Sequence, residues 1–178
     1  DDTGSAADPE QNFVANKSGM LEVAGPNGRT WEIVVTPDTA PRVEVTGAPE
    51  RSAEGVMSLP FAASDDYDVI GGNARVTLDL GSVTRRYGFS VDPELQEAIE
   101  LELPLPISGD RSDFSETLFG EFSEHPFANL PVTLSMIVED AKGQTSEANI
   151  THMILPGRRF FDPLAGALIE QRQWLLWS

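Results

Sequence analysis

Five carboxylates near the ends of two predicted strands are the side chains in this chain best suited to binding chemistry. They follow segments 56–63 and 132–138, and they are Asp65, Asp66, Asp68, Glu139 and Asp140. If these segments are the second and sixth strands of a sandwich, the loops that follow them lie at one end of the domain. Carboxylate oxygens are the ligands that Ca²⁺ requires, so the pattern predicts a calcium- or glycan-binding loop cluster. The alternative is that the aspartates cap turns by accepting hydrogen bonds from nearby backbone amides.

Residues that could support catalysis are scarce. The only histidines are His125 and His152, and neither has a recognisable nucleophile as a partner. The chain has no G-x-S-x-G elbow, and the glycines at 25 and 28 precede no phosphate-loop lysine. The sequence therefore predicts a protein that is not an enzyme and holds no cofactor other than calcium, with an unrecognised hydrolase as the alternative.

The overall charge limits the partners. There are 29 acidic and 12 basic side chains in 178 residues, which gives a formal net charge of -17. Such a surface repels phosphate backbones and anionic membranes, so we expect no nucleic acid partner and no direct membrane contact by this segment. Because the chain has no cysteine, disulfides and thiolate metal sites are excluded.

Alternating apolar residues predict a mainly β fold. Seven segments have the two-residue period of a half-buried strand: 42–46, 56–63, 73–80, 83–91, 99–105, 132–138 and 148–154. Turn residues, among them Gly71-Gly72 and Lys142-Gly143, separate several of them. The last segment alternates through Ile150 and Ile154. Together these features predict an immunoglobulin-like antiparallel β-sandwich over residues 37–157.

The rest of the chain divides around this sandwich. Residues 1–12 are polar and predict a disordered leader. Residues 13–36 predict a β-hairpin, with strands at 20–24 and 30–36 and a turn at 25–28, that either packs on the sandwich or ends a preceding module. Four aromatic residues occupy inward-facing strand positions and are expected in the core: Trp31, Phe61, Tyr87 and Phe89.

Two segments predict helices. Phe114, Leu118 and Phe122 recur at i, i+4 and i+8, so we expect a short helical insertion over 115–123. In residues 158–178, Asp162 provides an N-cap oxygen and Pro163 suits the first helical position, which predicts the start of a helical region. Four aromatic residues in this region lie outside the sandwich pattern and predict an interaction surface: Phe160, Phe161, Trp174 and Trp177.

Several stretches resemble a family of inner-membrane-anchored alphaproteobacterial proteins known as the domain of unknown function 4175 family. They are VTPD at 35–38 with Pro41, ASDDYDV at 63–69, EHPFANLPV at 124–132, EDAKGQ at 139–144, LPGRRF at 155–160, DPLA at 162–165 and ALIEQR at 167–172. Asp68 stands where the family usually has Gly, and aspartate tolerates left-handed backbone angles better than most residues.

The resemblance implies a placement and no activity. It implies membrane helices upstream, a periplasmic β module and a long helical region of which residues 158–178 are the first turns. We therefore expect a noncatalytic interaction or scaffold module. Its partner would be another protein or a second copy bound through the C-terminal helix, and the membrane would be reached only through regions outside this segment.

Overall fold

The computed structural model describes residues 13–26, 28–83 and 96–177. The chain divides into two compact units, Asp1–Asp38 and Thr39–Ser178. Three expectations fall outside the described residues: the leader at 1–12, Asn27 of the hairpin turn, and the strand at 83–91 beyond Val83 with its aromatic residues Tyr87 and Phe89.

The first unit contains the expected hairpin. Strands β1 (Gly19–Val23) and β2 (Arg29–Ile33) pair antiparallel, with Leu21 opposite Trp31. The assignment of Trp31 to a core is wrong, because its side chain is 46% exposed. Two paired strands form one layer, and a single layer by itself encloses no interior.

The second unit consists of two antiparallel sheets and one helix. The first sheet contains β3 (Arg42–Val45), β4 (Glu50–Arg51), β5 (Val56–Ser64) and β8 (Asp113–Glu121). The second sheet has the order β10-β9-β6-β7, where β6 is Val69–Leu78, β7 is Ile99–Glu102, β9 is Pro131–Asp140 and β10 is Asn149–Ile154. A 3₁₀ helix at Leu80–Ser82 follows β6, and the helix α1 spans Pro163–Trp177.

The two sheets share a single apolar core. In β5, Met57, Leu59 and Phe61 are fully buried, and from β9 a second row enters the same cluster. That row is Val132, Leu134, Met136 and Val138. The structure thus confirms a mainly β chain with antiparallel sheets in a sandwich-like arrangement and one C-terminal helix. The immunoglobulin-like subtype stays a prediction.

Pro60 explains a break in the first sheet. β8 pairs with β5 along its whole length, so β3 and β4 must share the other edge of β5. The Pro60 carbonyl accepts from Thr46 N at 3.1 Å on that edge, and a residue's N–H and C=O point the same way in a strand. Because proline has no N–H to donate on that edge, the pairing with β5 is interrupted between the end of β3 at Val45 and the start of β4 at Glu50.

The helical insertion expected at 115–123 is wrong. The segment belongs to β8, which pairs with β5 from Val56↔Glu121 to Ser64↔Asp113. Phe114 and Leu118 are buried on its inner face, and the Phe114 ring packs edge-on against Phe61 at 6.4 Å. A spacing of four is close to one helical turn and is also two strand repeats, so the pattern fits both structures.

Two further expectations about strands are corrected. Gly71-Gly72 lies inside β6, next to a bulge, and a Cβ on Gly72 would come within 2.8 Å of the Ile137 carbonyl oxygen. Close backbone approach therefore explains this glycine better than a turn does. In β10, Ile150 and Ile154 are 61% and 57% exposed, because they lie opposite outward-facing residues of β9. No helix within the described ranges is long and apolar enough to cross a membrane.

The core predicts a contrast between two phenylalanines on neighbouring strands. Phe61→Ala removes a ring that is fully buried, so we expect the free energy of unfolding to fall by about 3–5 kcal/mol. Phe119→Ala is the control, because Phe119 is 65% exposed on the outer face of β8, and we expect a change of about 0.5 kcal/mol or less. Urea unfolding measures both, and equal losses would contradict this core.

Candidate functional site

The loops that carry the predicted acidic cluster lie side by side. Residues 65–68 connect β5 to β6, and residues 141–144 follow β9. The Ala141 amide donates to the Asp68 carbonyl at 3.2 Å, and Lys142 Nζ lies 5.1 Å from the centroid of the Tyr67 ring. We call this part of the second unit the acidic end. The prediction that the two loops meet at one end is confirmed at the level of the backbone.

Two of the five carboxylates at the acidic end shape the turns. Asp65 Oδ2 accepts from the Tyr67 and Asp68 amides at 3.0 and 2.9 Å. Asp140 Oδ1 accepts from the amides of residues 142 and 144, both at 2.8 Å. Both Asp66 carboxylate oxygens lie 3.3 Å from the Thr39 amide. Turn capping, the alternative reading of the sequence, therefore accounts for one oxygen of Asp65 and one of Asp140.

The five carboxylates do not form one cluster. Asp66, Asp68 and Glu139 are exposed, whereas Asp140 is fully buried and Asp65 is half-buried. In the described part of the chain, no three or more His, Cys, Asp or Glu side chains are grouped so that they could hold a metal ion. Asp68 needs no left-handed backbone, since Asn129 is the one non-glycine residue with a positive φ among those described.

A second candidate surface begins where the LPGRRF stretch crosses the other end of the second unit. Arg51 Nη1 donates to the Gly157 carbonyl at 3.0 Å and lies 3.4 Å from Asn129 Oδ1. The backbone N–H of Asn129 donates to the Leu155 carbonyl at 2.8 Å, and the φ of Asn129 is 61°. A Cβ on Gly157 would come within 2.8 Å of Asn129 Nδ2. This close packing fixes the path of the chain before α1.

α1 begins as the sequence predicts, and it is joined to the loop that contains Ala128. Asp162 Oδ1 accepts from the Leu164 amide at 2.9 Å, which is an N-cap hydrogen bond, and Pro163 is the first helical residue. Near the other end of α1, Gln173 Nε2 donates to the Ala128 carbonyl at 2.7 Å. The loop containing Ala128 is buried against the core through Phe127, which is 1% exposed.

The four aromatic residues predicted to interact have different environments. Phe161 is 87% exposed and Phe160 is 41% exposed, whereas Trp174 is half-buried. The side chain of Trp177 lies outside the described residues. The sequence did not single out a more continuous apolar surface of α1 as an interaction site. It is formed by Leu164, Leu168 and Leu175, which are 68%, 62% and 85% exposed. We call these three residues the leucine stripe.

One place brings serine, histidine and aspartate together. The Ser82 hydroxyl donates to Asp79 Oδ2 at 2.7 Å, and this hydrogen bond is the main reason that the pKa of Asp79 is lowered. His152 Nδ1 lies 3.8 Å from the same oxygen and 3.2 Å from Thr133 Oγ1. In a catalytic triad the serine proton is directed at the imidazole. Here it is directed at the carboxylate and the imidazole is exposed, so the arrangement does not activate Ser82.

An open cleft of about 790 Å³ lies at the edge of the sandwich where β3 approaches the start of β10. Its lining is mostly small or polar, including Thr39, Ser64, Ser146 and Asn149. Neither histidine lines it. The groups in its lining that could act as a general base are the carboxylates of Glu44, Asp113 and Glu147.

Comparison with known proteins identifies the family. The profile described as Domain of unknown function (DUF4175) matches residues 1–178, so the chain belongs to this family. A search of curated proteins gave no significant match.

His125 predicts a pH dependence of stability. Partial burial lowers the pKa of His125 below 6.5, and its Nδ1 accepts from the Phe127 amide at 3.1 Å, which requires the neutral ring. Below about pH 6.5 the unfolded chain takes up a proton that the folded chain resists, so the free energy of unfolding falls as the pH drops.

The variant His125→Asn keeps a side-chain acceptor for the Phe127 amide and removes the titration. We expect it to lose less stability than the wild type between pH 7.5 and 5.0, as measured by urea unfolding. The many carboxylates titrate in both proteins and cancel in the difference. Parallel stability curves for the two proteins would contradict a role for His125.

Proposed function

We propose that this member of the DUF4175 family is a noncatalytic interaction module that presents α1 to another helix. The observation that carries the proposal is the leucine stripe, which is exposed although another face of the same helix is half-buried and joined to the Ala128 carbonyl by Gln173. We further propose that the module lies in the periplasm as part of an inner-membrane-anchored protein, in line with the resemblance of its sequence motifs.

The spacing of the leucine stripe suits a helical partner. Leu168 and Leu175 are seven residues apart, and Leu164 precedes Leu168 by four. At 3.6 residues per turn, the three side chains fall within about 40° of one another around the helix axis. A narrow stripe with four- and seven-residue spacings is the pattern that packs against a second helix. Phe161, which is also exposed, lies just before the start of the helix.

The opposite face of α1 supports a fixed orientation. Ala165, Ile169 and Gln173 recur every four residues and are all half-buried. A helix that is apolar on two faces needs neighbours on both. The second unit provides one of them through the Gln173 hydrogen bond and the chain path set by Gly157. The sandwich then acts as a mount that holds the leucine stripe in a set direction.

Charge supports a protein partner over a membrane or a nucleic acid. Residues 158–178 contain three arginines and two acidic residues and so have a net charge of +1. Because the net charge of the whole chain is -17, the remaining residues have a net charge of -18. An acidic body is repelled by anionic lipid and phosphate. A protein helix packing on the leucine stripe avoids that repulsion, because it contacts the least acidic part of the chain.

Replacing two leucines of the stripe tests the proposal. In Leu168→Ser/Leu175→Ser the substituted side chains are exposed, so the fold should persist, and we expect cross-linking of the full chain to its envelope partner or to a second copy to fall at least 10-fold. The control is Ala167→Ser/Glu170→Ser, which alters exposed positions of the same helix outside the stripe.

Three results would count against this function. They are a wild-type chain that stays monomeric and captures no protein, a leucine variant that cross-links as well as the wild type, and binding to lipid vesicles that depends on the stripe. Circular dichroism of each variant would show whether the fold is intact.

A further inference from the structure

Asp140 is the one charged side chain that is completely buried among the described residues. It ends the inward-facing row of β9 that begins at Val132 and runs through Val138. Its register partner on β6 is Val69, which is also fully buried. The carboxylate therefore lies inside the last layer of the core, at the acidic end.

Asp65 reaches the same region from the other sheet. It follows the inward-facing residues Phe61 and Ala63 of β5 with the same two-residue period, and its amide continues the ladder by donating to the Ser112 carbonyl at 2.8 Å. Four residues later the chain enters β6 at Val69, opposite Asp140. The two carboxylates thus lie on the inner sides of facing sheets at one end of the core.

Each of these carboxylates has one oxygen that the protein leaves without a partner. The turn amides occupy Asp65 Oδ2 and Asp140 Oδ1, as described above. The other oxygens, Asp65 Oδ1 and Asp140 Oδ2, are buried and have no hydrogen-bond partner. A carboxylate oxygen that is removed from water without compensation is strongly destabilising, so each oxygen needs a hydrogen-bond donor, such as a water molecule, or a cation.

Two basic residues in these loops, Lys142 and Arg111, are engaged elsewhere. Lys142 is exposed, with its Nζ over the Tyr67 ring, and Arg111 Nε donates to the Pro106 carbonyl. A small cation from solution is therefore a better match. The available atoms are carboxylate and carbonyl oxygens, with no imidazole or thiolate in the loops, and this donor set suits a hard ion such as Ca²⁺.

We propose that Ca²⁺ binds at the acidic end, with Asp140 Oδ2 and Asp65 Oδ1 as its two carboxylate ligands. Ca²⁺ takes six to eight oxygens and accepts backbone carbonyls and water, so the missing third acidic side chain is replaced by such ligands. Two carboxylates give a weak site, with a dissociation constant on the order of 10⁻⁴ to 10⁻³ M. The site is independent of the leucine stripe and goes beyond the interaction function.

Thermal unfolding of the full chain tests the site. After treatment with EGTA, 10 mM CaCl₂ should raise the Tm by about 3–6 °C, and MgCl₂ or NaCl at equal ionic strength should raise it by less than half as much. In Asp140→Asn the remaining Oδ1 still caps the turn, so the variant should fold, and its calcium-dependent shift should disappear. Asp65→Asn should reduce the shift in the same way.

Glu139→Gln is the matched control, because Glu139 neighbours Asp140 but is exposed on the other face of β9. It should keep the full shift, and equilibrium dialysis with radioactive Ca²⁺ should give one ion per wild-type chain and none for Asp140→Asn. The proposal is overturned if Ca²⁺ gives no more stabilisation than Mg²⁺. It is overturned equally if Asp140→Asn retains the shift, or if Glu139→Gln loses it through diffuse surface binding.

Discussion

The burial of one apolar layer between two antiparallel sheets is the constraint on which the rest of this structure depends. Inward side chains of β5 and β9 alternate without a break, and most are completely removed from water. Because the strand period is two, the layer also decides which residues beyond the strand ends point inward. The loops at both ends of the second unit take their positions from it.

At the acidic end, the last inward-facing positions of the two sheets are polar. Asp140 occupies an inward position where the pattern would place an aliphatic residue, and Asp65 does the same on the facing sheet. Each uses one oxygen to close its turn. The polar groups are thus partly structural, since they stop the strands. The second oxygen of each carboxylate, Asp65 Oδ1 and Asp140 Oδ2, has no partner in the protein and is available to bind a ligand.

At the opposite end, hydrogen bonds of Arg51 and Asn129 fix the chain, and we call this group of contacts the polar clamp. Arg51 joins the Gly157 carbonyl to the Asn129 side chain, and the backbone of Asn129 pairs with Leu155. This clamp sets where the chain leaves the sandwich, and Gln173 holds the following helix from a second point. A short helix apolar on two faces thereby keeps one face covered and the other available.

Local chemistry determined several features of this protein from the sequence by itself. The start of α1 follows from an aspartate cap before a proline, and the rows in β5 and β9 follow from alternation over long segments. Residues at 114, 118 and 122 could not be assigned this way, because a four-residue spacing suits a helix or a strand. The segment is a strand because it pairs with β5 over nine residues, and that pairing is a tertiary contact.

The tertiary structure also decided which apolar and acidic residues are buried. Trp31 and Ile150 have the right period but lack a covering layer, whereas Asp140 is charged and yet completely enclosed. Periodicity states which side chains share a face, and it does not state what lies opposite that face. Burial depends on the second sheet or helix that packs there, and contacts between residues distant in sequence supply it.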